Sequence, residues 1–91
     1  MKIAIYPGSY DPITNGHLDI IERSSSLFDK IIVAMARNSD KDSALFSESE
    51  RITMINQSIA HLKNVKVDSF NGLLVNYAAE KNANAIIRGL R

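Results

Sequence analysis

A stretch near the amino terminus, Gly8-Ser9-Tyr10-Asp11-Pro12-Ile13-Thr14-Asn15-Gly16-His17, gathers groups suited to holding an anion. Gly8 has no side chain, so a phosphate or a neighbouring loop can approach its backbone. Ser9 offers a hydroxyl and an N–H. Thr14 is able to cap a helix, and Gly16 keeps the helix entrance open. His17 then projects from the first helical turn, where unsatisfied N–H groups and the helix dipole favour negative charge. A histidine there can donate a hydrogen bond to a phosphate oxygen. Taken alone the pattern is weak, because a single histidine near a helix start is more often structural or solvated. The Walker arrangement is absent, with no Gly-Lys-Ser/Thr following, and so is the dinucleotide glycine fingerprint.

A second group closes the chain, Ile86-Ile87-Arg88-Gly89-Leu90-Arg91. Arg88 and Arg91 flank a glycine and can both reach one polyphosphate through forked guanidinium hydrogen bonds. Lys41 stands among Asn38, Ser39, Asp40 and Asp42, where a lysine is by default solvated. Lys30, Lys63 and Lys66 read as surface residues. Leu73 and Leu74 read as packing residues at a helix start, as do Met35 and Met54 elsewhere. His61, near a helix end, suits the negative end of a helix dipole and carries no assigned chemistry.

Elements that alternate between strand and helix must position these groups. Ile3 to Tyr6 is a β-favouring run stopped by Pro7-Gly8. From about Gly16 to Leu27, His17, Ile21 and Phe28 share a helical face, widened by Ile20 and Leu27. Ile31 to Ala36 is a continuous apolar run, the pattern of a strand buried on both faces of a parallel sheet. Ser47 and Glu50 have capping-box spacing ahead of Ile52, Ile55, Ile59 and Leu62. Val65-Lys66-Val67 is a third strand. Asn71 is expected to cap a third helix carrying Leu73, Leu74, Tyr77 and Ala78. Ala85-Ile86-Ile87 is a fourth strand. The order βαβαβαβ predicts an open parallel, Rossmann-like α/β sheet with helices on both faces. Its ligands should lie beyond the strand carboxyl ends, where strand order reverses. Both candidate groups directly follow strands.

Composition narrows the function. The chain of 91 residues carries 11 Lys and Arg against 10 Asp and Glu, a net charge of +1. That balance argues against nucleic-acid binding through bulk charge. With no cysteine, disulfides and thiolate metal sites are excluded. No apolar run is long enough for a bilayer, and the amino terminus is too short in apolar residues for a signal peptide. A cytoplasmic location without membrane contact is expected.

Two landmarks carry a family resemblance. Thr14-Asn15-Gly16-His17 resembles the Thr/His-x-Gly-His signature of the nucleotidyltransferase superfamily. The longer string from Tyr6 to His17 resembles the opening of bacterial phosphopantetheine adenylyltransferases, with Tyr10 where phenylalanine is usual. Ile87-Arg88-Gly89-Leu90-Arg91 resembles the family's second landmark. The resemblance runs along the whole chain. It implies transfer of AMP from ATP to 4'-phosphopantetheine, giving dephospho-coenzyme A and pyrophosphate, with Mg²⁺ held mainly by the ATP phosphates. By the same resemblance His17 is catalytic, and Ser9, Tyr10, His17, Gly89, Leu90 and Arg91 contact ATP. Ser9, Lys41, Leu74 and Arg88 would hold phosphopantetheine. Family members are longer and generally hexameric. Residues 1–91 are therefore expected to be the N-terminal portion of one five-stranded doubly wound domain. Alone they would lack an acidic ATP-binding residue and a serine-rich signature. Sister enzymes acting on nicotinate mononucleotide share the Gly-His signature but differ around the arginine landmark. An inert nucleotide-binding half-domain is the reading from another class.

Overall fold

The β-branched run from Ile31 is where burial is deepest, and the rest of the fold is arranged around it. The computed structural model describes residues 1–37 and 44–88. Its elements are β1 (Ile3–Gly8), α1 (Asn15–Ser25), β2 (Lys30–Ala36), α2 (Glu48–Ile59), β3 (Val65–Phe70), α3 (Leu74–Glu80) and β4 (Ala85–Ile86). The strands form one parallel sheet in the order β3-β2-β1-β4. Register runs Ile3 to Lys30 through Gly8 to Met35 between β1 and β2. It runs Ile31 to Val65 through Ala36 to Phe70 between β2 and β3. β4 pairs on the far side of β1 through Ala4 with Ala85 and Ile5 with Ile86.

Strand side chains alternate between faces, and the alternation divides the core in two. Ala4, Tyr6, Ile31, Val33, Met35 and Val65 pack with Ile21 of α1 and with Ile55 and Ile59 of α2. Ile5, Ile32 and Ala34 turn the other way, against Tyr77, Leu74 and Ala78 of α3. The result is the expected α/β layering, with α1 and α2 on one face and α3 on the other. A fully covered Ile21 is worth about 1.5–3 kcal/mol relative to exposure. Among the described residues no helix is long and apolar enough to cross a membrane.

The caps explain where two helices begin. The Ser47 hydroxyl accepts from the Glu50 N–H while the Glu50 carboxylate accepts from the Ser47 N–H, as its spacing predicted. Those bonds, the backbone one foremost, hold the Glu50 carboxyl below its ordinary range. The third helix departs from expectation. β3 does not stop at Val67 but continues to Phe70, because β2 supplies ladder partners for Asp68, Ser69 and Phe70. Asn71 and Gly72 are then consumed by the turn, with Gly72 at φ 81. The N-cap falls on Leu73, which makes no side-chain cap bond. Leu27 also departs from the predicted helical face. α1 ends at Ser25 with Ser26 as its C-cap, so Leu27 leaves the helical phase and is exposed.

Candidate functional site

β1 is the switch strand, since the chain moves to β2 on one side of it and to β4 on the other. The crevice an open parallel sheet forms at such a point lies beyond the carboxyl ends of β1 and β4. Ser9 directly follows β1, and His17 lies in the first turn of α1 after the same loop. Arg88 lies just past β4, whose pairing continues through the Ile87 N–H donating to the Ile5 carbonyl at 2.8 Å. Ser9, His17 and Arg88 thus share one rim. Leu74 opens α3 beyond β3, on the same rim but at the far edge of the sheet, and its side chain packs into the α3-side core. Leu73 beside it is exposed. Lys41, Gly89, Leu90 and Arg91 lie outside the described residues.

His17 occupies the third helical position, and its geometry determines where its proton sits. The Thr14 N–H donates to His17 Nδ1 at 3.0 Å, and the His17 N–H donates to Thr14 Oγ1 at 3.3 Å. This is a capping box with histidine in the place usually taken by glutamate or glutamine. Because Nδ1 accepts, the ring proton is assigned to Nε2. The same box orients the ring, which also rests edge-on against Tyr10 at 4.9 Å and Tyr6 at 6.1 Å between centroids.

Tyr10 lies largely beneath the rim. Its ring is buried, and its hydroxyl donates to the Tyr6 carbonyl at 2.6 Å. Burial, and secondarily the neighbouring Tyr6, push that hydroxyl far above the ordinary tyrosine range, so it stays a neutral donor. The Tyr10 backbone is left-handed, at φ 48. A Cβ placed on Gly8 would stand 3.2 Å from the Tyr10 ring, so the close approach permitted by this glycine is that of the following loop.

Two charged residues outside the predicted set hold this loop. The Asp11 carboxylate accepts from the Leu45 N–H at 2.6 Å and the Phe46 N–H at 2.9 Å, tying the loop to the approach to α2. Arg51 of α2, only 2% exposed, donates from Nη1 to the Ser9 carbonyl at 2.9 Å. Its periodicity within a helix gave no signal, because an arginine there ordinarily faces solvent. His61 also differs from expectation. Rather than its own helix end it meets Glu22 of α1, with Nε2 2.7 Å from Oε2.

A polar cleft of roughly 470 Å³ opens between the end of β3 and α3. Arg37, Ser69, Phe70, Leu73, Tyr77 and Lys81 are among its lining residues. Asp68 organises it, accepting from the Tyr77 hydroxyl at 2.6 Å and lying 3.7 Å from Lys81 Nζ. Burial works to raise the Asp68 pKa, but the Tyr77 hydroxyl, the Ser69 N–H and Lys81 outweigh it and hold the carboxyl below its ordinary value. Tyr77 is displaced upward by burial and then by Asp68.

Comparison with known proteins agrees with this architecture. Over its full 91 residues the chain is 62% identical to a phosphopantetheine adenylyltransferase of Syntrophomonas wolfei, covering 56% of that protein. It is 57% identical to the enzyme of the same name from Carboxydothermus hydrogenoformans, again covering all of this chain and 56% of the relative. The chain therefore spans about half the length of the curated relatives it matches. A lipopolysaccharide core biosynthesis protein of Thermoplasma volcanium shares the fold with a TM-score of 0.75 and 24% identity, over 94% of this chain and 72% of that one. A bifunctional NMN adenylyltransferase/ADP ribose pyrophosphatase of Francisella tularensis superposes with a TM-score of 0.66 at 22% identity, over 88% of this chain and 25% of its own. The cytidylyltransferase-like family model matches residues 5–91. On the strength of that match and the switch-point architecture, the chain belongs to the cytidylyltransferase-like family.

Proposed function

We propose that the intact protein carrying this chain moves AMP from ATP to 4'-phosphopantetheine, forming dephospho-coenzyme A and pyrophosphate. The observation that carries this reading is 62% identity along the entire chain to a phosphopantetheine adenylyltransferase. The rim holding Ser9, His17 and Arg88 supports it, since two phosphorylated substrates must meet there.

In this reading a phosphate oxygen of phosphopantetheine attacks the α-phosphorus of ATP. The new P–O bond forms as the bond to the bridging oxygen breaks, and pyrophosphate leaves with that electron pair. The nucleophile is already an anion, so no general base is needed. Rate enhancement then comes from alignment and from donors aimed at developing charge. His17 would donate from Nε2 to an α-phosphate oxygen. Ser9, Lys41 and Arg88 would hold the acceptor phosphate. Gly89, Leu90 and Arg91 would contact the nucleotide, as would the Ser9–Tyr10 backbone. Leu74 would help hold the pantetheine arm.

Among the described residues no three metal-binding side chains converge. By the family resemblance Mg²⁺ would enter mainly on the triphosphate oxygens, where its charge would offset that of the leaving group. A cytoplasmic homohexamer is part of the same proposal. The test is pyrophosphate release by the intact protein with ATP and either phosphopantetheine or nicotinate mononucleotide. Preference for the mononucleotide, or nucleotide binding without turnover of either, would overturn the reading.

A further inference from the structure

We infer that Arg51 is a positioning residue for nucleotide transfer, acting through the Ser9 carbonyl to aim the backbone of the phosphate loop. This rests on the adenylyl-transfer reading above. Arg51 is the one charged residue among the described buried side chains. Its guanidinium finds no carboxylate among the described residues. Among the described residues it donates to carbonyl oxygens, that of Ser9 at 2.9 Å from Nη1 and that of Ser47 at 3.4 Å from Nε. Burying a cation costs stability, and an apolar side chain of similar volume would fill the same place. The residue is better explained by what it holds.

What it holds is one end of a peptide plane. The Ser9–Tyr10 peptide is not among the cis bonds. In a trans peptide the C=O and N–H point in opposite directions. Fixing the Ser9 oxygen toward Arg51 therefore turns the Tyr10 N–H away from it. Tyr10 itself lies in the left-handed region at φ 48, a conformation uncommon for a residue with a side chain. The same residue packs its ring against His17 at 4.9 Å. One guanidinium thus sets both the amide direction and the platform under the histidine ring. The grip comes from α2, whose cap residue Ser47 lies next to Phe46, tied to Asp11. Loop and helix are therefore joined at two places, Arg51 to Ser9 and Phe46 to Asp11.

The test uses the intact protein with Arg51→Lys, which keeps the charge but not the fork, and Arg51→Met, which keeps the volume. Both should lower kcat by about 100-fold, the cost of a small misplacement of reacting groups. In a His17→Ala background the same substitutions should cost less than about threefold, because residues acting through one arrangement are not additive. A general loss of structure would instead multiply. Amide exchange at residues 9–11 should speed by about tenfold or more in Arg51→Lys. If the Met variant does not fold, the Lys variant carries the comparison. A folded Lys variant within twofold of wild-type turnover, a fully multiplicative loss with His17→Ala, or unchanged exchange at residues 9–11 overturns the assignment. A wild-type protein that makes no dephospho-coenzyme A overturns the functional reading instead, and exchange then decides the role of Arg51.

Discussion

Two substitutions at His17 separate its structural bond from its chemical one. Nδ1 serves the helix cap, accepting from the Thr14 N–H at 3.0 Å, and Nε2 is the nitrogen proposed above as the donor to the α-phosphate. In His17→Asn the amide oxygen can take the place of Nδ1, while nothing replaces Nε2. In His17→Ala both are gone. Loss of the cap hydrogen bond costs about 0.5–1.5 kcal/mol. Loss of the ring contact with Tyr10 costs a further 0.5–1.5 kcal/mol or about that. His17→Ala should therefore be destabilised by about 1–3 kcal/mol, and His17→Asn by the ring term alone. Turnover should behave differently. A single preorganised donor to a developing oxyanion is worth about 2.7–4 kcal/mol, so both variants should lose roughly 100- to 1000-fold in kcat, with little change in ATP affinity. Urea denaturation gives the first quantity, and steady-state pyrophosphate release by the intact protein gives the second. If His17→Asn keeps turnover within about tenfold of wild type, Nε2 is not the donor. If His17→Ala is as stable as wild type, the reciprocal cap contributes nothing.

Tyr10→Phe removes the hydroxyl that reaches the Tyr6 carbonyl at 2.6 Å while keeping the ring under His17. It should cost about 0.5–1.5 kcal/mol in urea denaturation and leave turnover within about twofold; a larger loss of activity would mean that the hydroxyl itself serves the reaction. Asp68 supplies a pH dependence. Its folded pKa is lowered, so its contribution is present above the unfolded value, about 3.9, and is lost as pH falls through the lower folded value. Asp68→Asn should therefore be less stable than wild type near neutrality, the difference closing below about pH 4. A gap that stays constant down to about pH 2 would show that the carboxylate charge is not responsible.

Much of the architecture was legible because hydrophobic period and helix caps are local signals. The apolar run from Ile31 became the most buried strand, and Ser47 with Glu50 formed the reciprocal cap their spacing implied. Thr14 was also readable as a cap. Its partner was not, because histidine is an unusual residue for the reciprocal position. What escaped was decided by partners distant in sequence. Asp68, Ser69 and Phe70 have no strong strand pattern and pair only because β2 stands beside them. Arg51 and Asp11 look like ordinary surface charges until folding brings Ser9, Leu45 and Phe46 to them. Tyr10 was read from resemblance as a nucleotide contact; that its ring is buried against His17 had no signal in the sequence.

The sheet order has a consequence for synthesis. β1 comes first in chain order, yet one of its neighbours in the sheet is β4, which follows β2 and β3. Ile3 gives its N–H to Asn84, 81 positions downstream. As a nascent chain leaves the ribosome, β1 to β3 and their two helices can assemble while β4 is still untranslated. That leaves one flank of β1 bare, with its hydrogen-bonding groups open to stray pairing. The crevice at the switch point is bordered by β4, so it cannot form until β4 has followed β1 to β3. Ser9 and Arg88 come to one rim only once β4 has docked beside β1.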